Sequence, residues 1–193
     1  AISTSAKNRI NPTTAKQTAA IHVPGLVFSA NTPIVPLVWA TAYDAYVNGR
    51  MQMKAKILST FSVVDEQSSP ELDRVSLRRW LLESALYPMA LLPSEQIQWE
   101  AIDDQRARVT AHWNQMSVSM IATFAPSGEL TQMIATEEGD LSTAYHGSGE
   151  LVERSDYQNV QGIMIPMKFS IARVHANQVL PFWVGQIEQI QFE

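Results

Sequence analysis

Glu83 is the side chain best placed in this sequence for proton chemistry. It follows Leu81 and Leu82 on a stretch that reads as a helix, and a carboxylate at the edge of an apolar enclosure can hold a raised pKa and act as a general acid or base. The competing reading is an ion pair with Arg79, one helical turn earlier, worth about 0.3–0.5 kcal/mol where exposed. Glu100, Asp103 and Asp104 form a second acidic group. Two carboxylates can divide acid and base roles when their separation fits a substrate, but Asp103–Asp104 ahead of Gln105 also suits a hairpin tip. The histidines, His22, His112, His146 and His175, have no second histidine or acid at a metal-ligand spacing, so neither a metal nor another cofactor is expected. Ser148 between Gly147 and Gly149 lacks the wider Gly-x-Ser-x-Gly spacing of a nucleophile elbow, and no helix follows to complete a phosphate cradle. These residues assign no catalytic group.

Composition narrows the classes further. The 193 residues suit one domain, with 46% apolar and only 17% charged side chains; Gln, Ser and Thr make up the difference. A net charge of −5 without a block of either sign argues against nucleic acid and lends no support to an anionic membrane partner. The absence of cysteine removes disulfides, thiolate metal sites and thiol nucleophiles. It fits an exported bacterial protein better than a cytosolic one, and a start at Ala1 fits a chain from which an upstream segment was removed. No apolar run approaches the roughly 20 residues of a membrane-spanning helix.

The elements that must position any site are mostly strands. Residues 1–20 show no usable period and read as a flexible tail or tether, leaving 21–193 as the single domain. Asn48–Gly49 is a hairpin turn pair. After it, Met51, Met53, Ala55, Ile57, Phe61 and Val63 fall on one face of a strand, with Gln52, Lys54, Lys56, Thr60 and Ser62 on the other. The helix spans about Pro70 to Tyr87: Ser69 is a good N-cap, Pro70 suits the first position, and Glu71 and Asp73 load the first turn favourably. Val75, Leu82 and Leu86 make one apolar stripe, with Leu77, Leu81 and Ala85 beside it, an arc wide enough to be covered on more than one side. Further alternating runs follow, among them Val109–Ala111–Trp113 and Val118–Met120–Ala122, with short turns between them.

Two blocks carry a family likeness. Leu77-Arg78-Arg79-Trp80-Leu81-Leu82-Glu83, Tyr87 to Pro93, Trp99-Glu100-Ala101 and Asp103-Asp104 resemble the central signature of an uncharacterised bacterial family of unknown function. Gly162 to Pro166, Pro181-Phe182-Trp183 and the run to Phe192 resemble that family's tail, so the likeness covers about Phe28 to Glu193. Met89 departs from the Gly or Thr near the helix exit there. The likeness implies no activity. The strand count and helix position are also similar to the half-barrel of periplasmic lipoprotein carriers, an analogy of fold alone.

The expected fold is therefore mainly β: a curved antiparallel sheet or half-barrel of about nine strands, with one main helix on its concave face. The expected function is a non-enzymatic bacterial envelope protein holding a lipid or acyl chain between sheet and helix. Met51, Met53, Leu82, Glu83, Leu86 and Met120 are its candidate lining, because flexible thioethers adapt to irregular partners and also serve as core filler. The first alternative is an interaction module with a packed core, working through a sheet edge or through Trp80, which lies off the main stripe. The second is a hydrolase using Glu83.

Overall fold

In a computed structural model the described residues are 12–58, 61–139 and 149–192. They form twelve strands in two antiparallel sheets, not the nine of one half-barrel. The first sheet is a five-stranded meander of β1 (Thr14–Ala20), β2 (Gly25–Val35), β3 (Val38–Val47), β4 (Arg50–Ile57) and β5 (Phe61–Gln67). The second has seven strands in chain order: β6 (Ile97–Ala101), β7 (Arg106–Trp113), β8 (Met116–Phe124), β9 (Leu130–Ala135), β10 (Leu151–Val160), β11 (Ile163–His175) and β12 (Gln178–Gln186). Every pairing joins strands adjacent in sequence, most through short turns and β9 to β10 through residues 136–150.

Two expectations need correction in the first sheet. Thr14–Ala20, assigned to the tail, is β1, paired along its whole length with Gly25–Asn31. Its Ala, Thr and Lys residues give no apolar contrast, so period-two burial leaves no mark on the sequence. Residues 1–11 lie outside the described residues. The strand after Asn48–Gly49 ends at Ile57, and Leu58 adopts a positive φ of 53°. The chain then returns as β5, and Phe61 and Val63 are exposed rather than buried. The bend expected at Gly147–Ser148–Gly149 falls mostly outside the described residues.

The helix α1 (Pro70–Glu83) separates the two sheets. Ser69 Oγ accepts from Leu72 N at 3.3 Å, and Pro70 stands in the first turn, where a missing N–H costs nothing. Asp73 in that turn accepts Met51 N at 2.8 Å, which fixes the helix start to β4. The helix tightens into a 3-10 turn at Ser84–Leu86, and a second such turn, Pro88–Leu91, follows. One face of α1 meets β7 to β10 and the other meets β2 to β4. Leu77, Leu81 and Leu82 are therefore buried from both sides, each contributing about 1.5–3 kcal/mol of burial. One core cluster runs from Leu26 and Tyr46 through the helix to Met120, Met133 and Val152.

Candidate functional site

Consecutive arginines on α1 reach opposite sheets. Arg78 Nη2 donates to Glu150 Oε1 at 2.7 Å. Glu150, fully buried ahead of β10, also accepts Arg173 Nε at 3.0 Å and Val174 N at 2.9 Å. Burial pulls the Arg78 guanidinium below its usual range, against the opposing pull of Glu150.

Arg79 turns toward the five-stranded sheet. Its Nη1 donates to Asp44 Oδ2 at 2.6 Å and its Nε to Glu83 Oε1 at 2.8 Å, while the guanidinium lies 4.6 Å from the ring centre of Phe28. Gln17 Nε2, from β1, donates to the other oxygen of Glu83. Burial lifts the Asp44 carboxyl above its ordinary value, and the charge and hydrogen bond of Arg79 hold part of that rise down. Arg154, on β10, is a further buried cation. Its guanidinium lies 5.6 Å from the ring centre of Phe169, and its charge is felt by Glu83 and Tyr87. Burial lowers its pKa, and Glu83 opposes that shift. The two arginines and two carboxylates balance in charge. They bracket three aromatic rings: Trp183 packs edge-on to Phe28 at 5.4 Å and to Phe169 at 5.5 Å.

Glu83 thus makes the Arg79 ion pair read from the sequence, in a buried setting rather than an exposed one. Met51, Met53, Leu82 and Met120 are buried in the shared core, with Leu86 packed against it. A ligand among these six residues would have to displace packed side chains. Trp80, which by its place off the main stripe either roofs a second surface or is an exposed partner contact, is 1% exposed and so does the former; its Nε1 donates to Ala20 O at 2.9 Å and ties β1 to the helix. The acidic group at the β6–β7 turn is spread out and exposed. Glu100 pairs with Arg108 at 2.7 Å, and Asp103 pairs with Arg106 at 2.7 Å while capping the N–H groups of Gln105 and Arg106. The Arg106 hydrogen bond holds the Asp103 carboxyl below its ordinary range, which suits a turn cap and not a general acid. Among the described residues no three His, Asp or Glu side chains are grouped to hold a metal.

Asp44, Arg154, Gln17 and Glu150 were not singled out by the sequence reading. The available signal was phase: Asp44 alternates in step with Tyr46, and Arg154 and Glu150 in step with Val152, so each is a charge on an apolar face.

The inner face of the five-stranded sheet runs on past this cluster. Along β2, Leu26 and Phe28 are buried, Ala30 and Thr32 half-buried, and Ile34 is 44% exposed. The next row beyond Phe28 and Asp44 consists of Ala15, Ala30, Ala42, Ala55 and Val64, paired in register across all five strands. Beyond it lie Thr32, Ala40, Ile57 and Phe61. The opposite face over the same span carries Lys16, Ser29, Tyr43, Lys54 and Asp65. A separate depression of about 740 Å³, lined by Gln132, Glu153, Lys168, Ser170 and Val184 among others, opens on the second sheet. These residues alternate with Met133, Val152 and Ile171 and so point away from α1.

Fold and site together define a two-sheet β protein with a helix clamped between the sheets by buried ion pairs. The chain belongs to a family of unknown function, DUF6920, whose model matches residues 1–192. The match extends the likeness seen at Leu77–Asp104 and Gly162–Phe192 to nearly the whole chain. No curated protein and no solved structure matches it. Among the described residues no helix is long and apolar enough to cross a membrane.

Proposed function

We propose that this protein holds an apolar ligand, a lipid or acyl chain, without chemistry, on the inner face of the five-stranded sheet beyond α1. One observation carries the reading: an all-apolar row, Ala30, Ala42, Ala55 and Val64, continues from the core onto a stretch that the helix leaves open, while the other face of the same strands is polar. A sheet with one wet face and one apolar face is stable when the apolar face is covered. From Phe28 to Ile34 that face extends about 20 Å. Small side chains in its middle row leave room for an occupant, and the rings of Phe28 and Trp183 stand at its inner end. The site thus lies one row outward of Met53 rather than around Met120 and Leu82. The pairing of Glu83 with Arg79 and Gln17 supports a structural role for that carboxylate rather than a hydrolytic one. A bacterial cell envelope, where acyl chains need shielding from water, is the setting this reading implies.

Binding of a fluorescent polyene fatty acid to the full chain tests it. Ala42→Trp, which fills the middle row, should weaken binding by at least about tenfold, because an indole occupies most of the space the chain would take. Lys54→Ala on the opposite face should leave it unchanged. Absence of probe binding by the unaltered protein, or equal affinity in Ala42→Trp, would overturn the proposal.

A further inference from the structure

We infer that the end of the five-stranded sheet formed by the β2–β3 turn, with the adjoining ends of β4 and β5, docks on a lipid bilayer that contains anionic lipids. The docking rests on that surface alone. That it also supplies the acyl chain rests on the ligand reading above.

That turn, Val35–Pro36–Leu37–Val38, places Leu37 at the tip, 91% exposed and with a positive φ of 66°. Proline followed by a positive-φ residue is the geometry of a type II turn, whose second central position favours Gly or Asn. Leucine there is disfavoured by its own backbone and buries nothing within the chain, so neither local conformation nor packing accounts for it. Other apolar residues at this end are exposed as well: Ile34, Val35 and, at the start of β5, Phe61.

The residues behind the tip come in a definite order. Trp39 pairs with Pro33 at the first level below it, and Phe61 stands near the same level, opposite Ile57, which in turn faces Ala40. Lys56 comes next, opposite Thr41, and then Tyr43 with Lys54 on one side and Ser29 and Lys16 beyond it on the other. Apolar tip, aromatic belt and then lysines is the sequence of environments met across a bilayer surface, from acyl chains through the interface to the headgroups. On the outer face at these levels Lys16, Lys54 and Lys56 stand against one carboxylate, Asp65, which pairs in register with Lys54, in a chain whose net charge is −5. This distal end is therefore cationic although the whole is acidic, and it complements anionic headgroups at short range. A second copy of the chain is a poorer occupant, since stable protein interfaces take about 20–30 residues a side and one hairpin turn with the strand ends beside it offers a narrow end. The apolar inner row begins at this same tip, so a docked sheet presents its open face to the acyl region.

Co-sedimentation of the full chain with phosphatidylcholine vesicles, with and without phosphatidylglycerol, reads the docking directly. Binding should be stronger with phosphatidylglycerol and weaken with salt, and brominated lipids should quench the Trp39 part of the emission, the part missing in Trp39→Phe. Leu37→Asp should reduce partitioning by at least about tenfold, since an apolar side chain of four carbons leaves the lipid. Leu37→Gly should also reduce partitioning while moving the unfolding midpoint upward, because glycine relieves the turn; the opposed signs separate a docking role from a folding role. Lack of partitioning at low salt, or unchanged partitioning in Leu37→Asp, overturns the inference. So does a Leu37-dependent dimer without vesicle binding, which assigns the tip to a second copy. Vesicle binding without fatty-acid binding leaves the docking intact and removes the ligand reading, and the reverse result removes only the docking.

Discussion

Arg79→Met should cost about 3–5 kcal/mol of folding stability, measured by urea unfolding, because it removes one partner from a buried charge cluster and leaves the others without compensation. Asp44 is 3% exposed and Glu83 6% exposed, and both direct an oxygen at this guanidinium. Arg154 remains as a cation near Glu83, so Asp44 is the group stranded most completely. The double variant Arg79→Met/Asp44→Leu removes one charge of each sign and leaves Glu83 its hydrogen bond from Gln17 and, at longer range, the charge of Arg154. It should recover most of the loss, because exchanging a buried pair for packed apolar groups is often close to neutral. With Arg79 gone, burial acts on Asp44 unopposed and its carboxyl rises further. Its folded pKa is then well above its unfolded value, so protonation favours the folded state at low pH and that contribution is lost as pH rises. The single variant's deficit should therefore shrink on acidification toward about pH 4. Equal losses in the single and double variants would show that the cluster does not act as a unit.

That cluster also shows what a sequence can and cannot reveal. Arg79 and Glu83 lie four residues apart on one helix, so their pairing is legible from spacing alone. Asp44 and Gln17 meet the same arginine from β3 and β1, across 35 and 62 residues of chain, where no local period operates. The helix start was legible because cap, proline and acidic first turn all point the same way. The inward faces of β4 and β8 were legible because Met51 and Met53, and Val118, Met120 and Ala122, alternate with polar residues over a stretch that is truly buried. The same pattern misled at Phe61. Period two reports which side chains share a face, but it does not report where the covering layer ends, and α1 leaves this end of the sheet uncovered. The turn that separates β4 from β5 carries no Gly or Asn–Gly signal, so one long strand was the natural reading of two. Glu150 and its arginines escaped notice for a related reason: a carboxylate in phase with Val152 is informative only once the strand's buried face is known.

Unfolding at alkaline pH should be abrupt, because three tyrosines are held neutral in the fold. Burial, with Asp73 nearby, pushes the Tyr46 hydroxyl far above its ordinary value, and burial with Glu83 does the same for Tyr87. Tyr157, whose hydroxyl donates to Leu130 O at 2.5 Å, is pushed up to about 12, mainly by burial. In the unfolded chain each ionises near pH 10. Between that value and the raised folded value, the native state binds more protons than the unfolded state. The stabilising contribution is therefore complete below about pH 10 and is lost as pH rises through the folded values. The slope is about 1.4 kcal/mol per pH unit for each such tyrosine, so Tyr46 and Tyr87 together should cost about 3 kcal/mol by about pH 11. Tyr46 tests the assignment cleanly. Its hydroxyl has no hydrogen-bond partner among the described residues, so Tyr46→Phe should change stability at neutral pH by less than about 1 kcal/mol and flatten the alkaline slope by one tyrosine's share. Tyr87→Phe should flatten it equally but cost about 1 kcal/mol at neutral pH, since its hydroxyl donates to Trp80 O at 2.6 Å. Urea midpoints across the alkaline range, read beside tyrosinate absorbance, decide the matter: tyrosinate appearing near pH 10 in the still-folded protein, or midpoints flat to about pH 11, would contradict it.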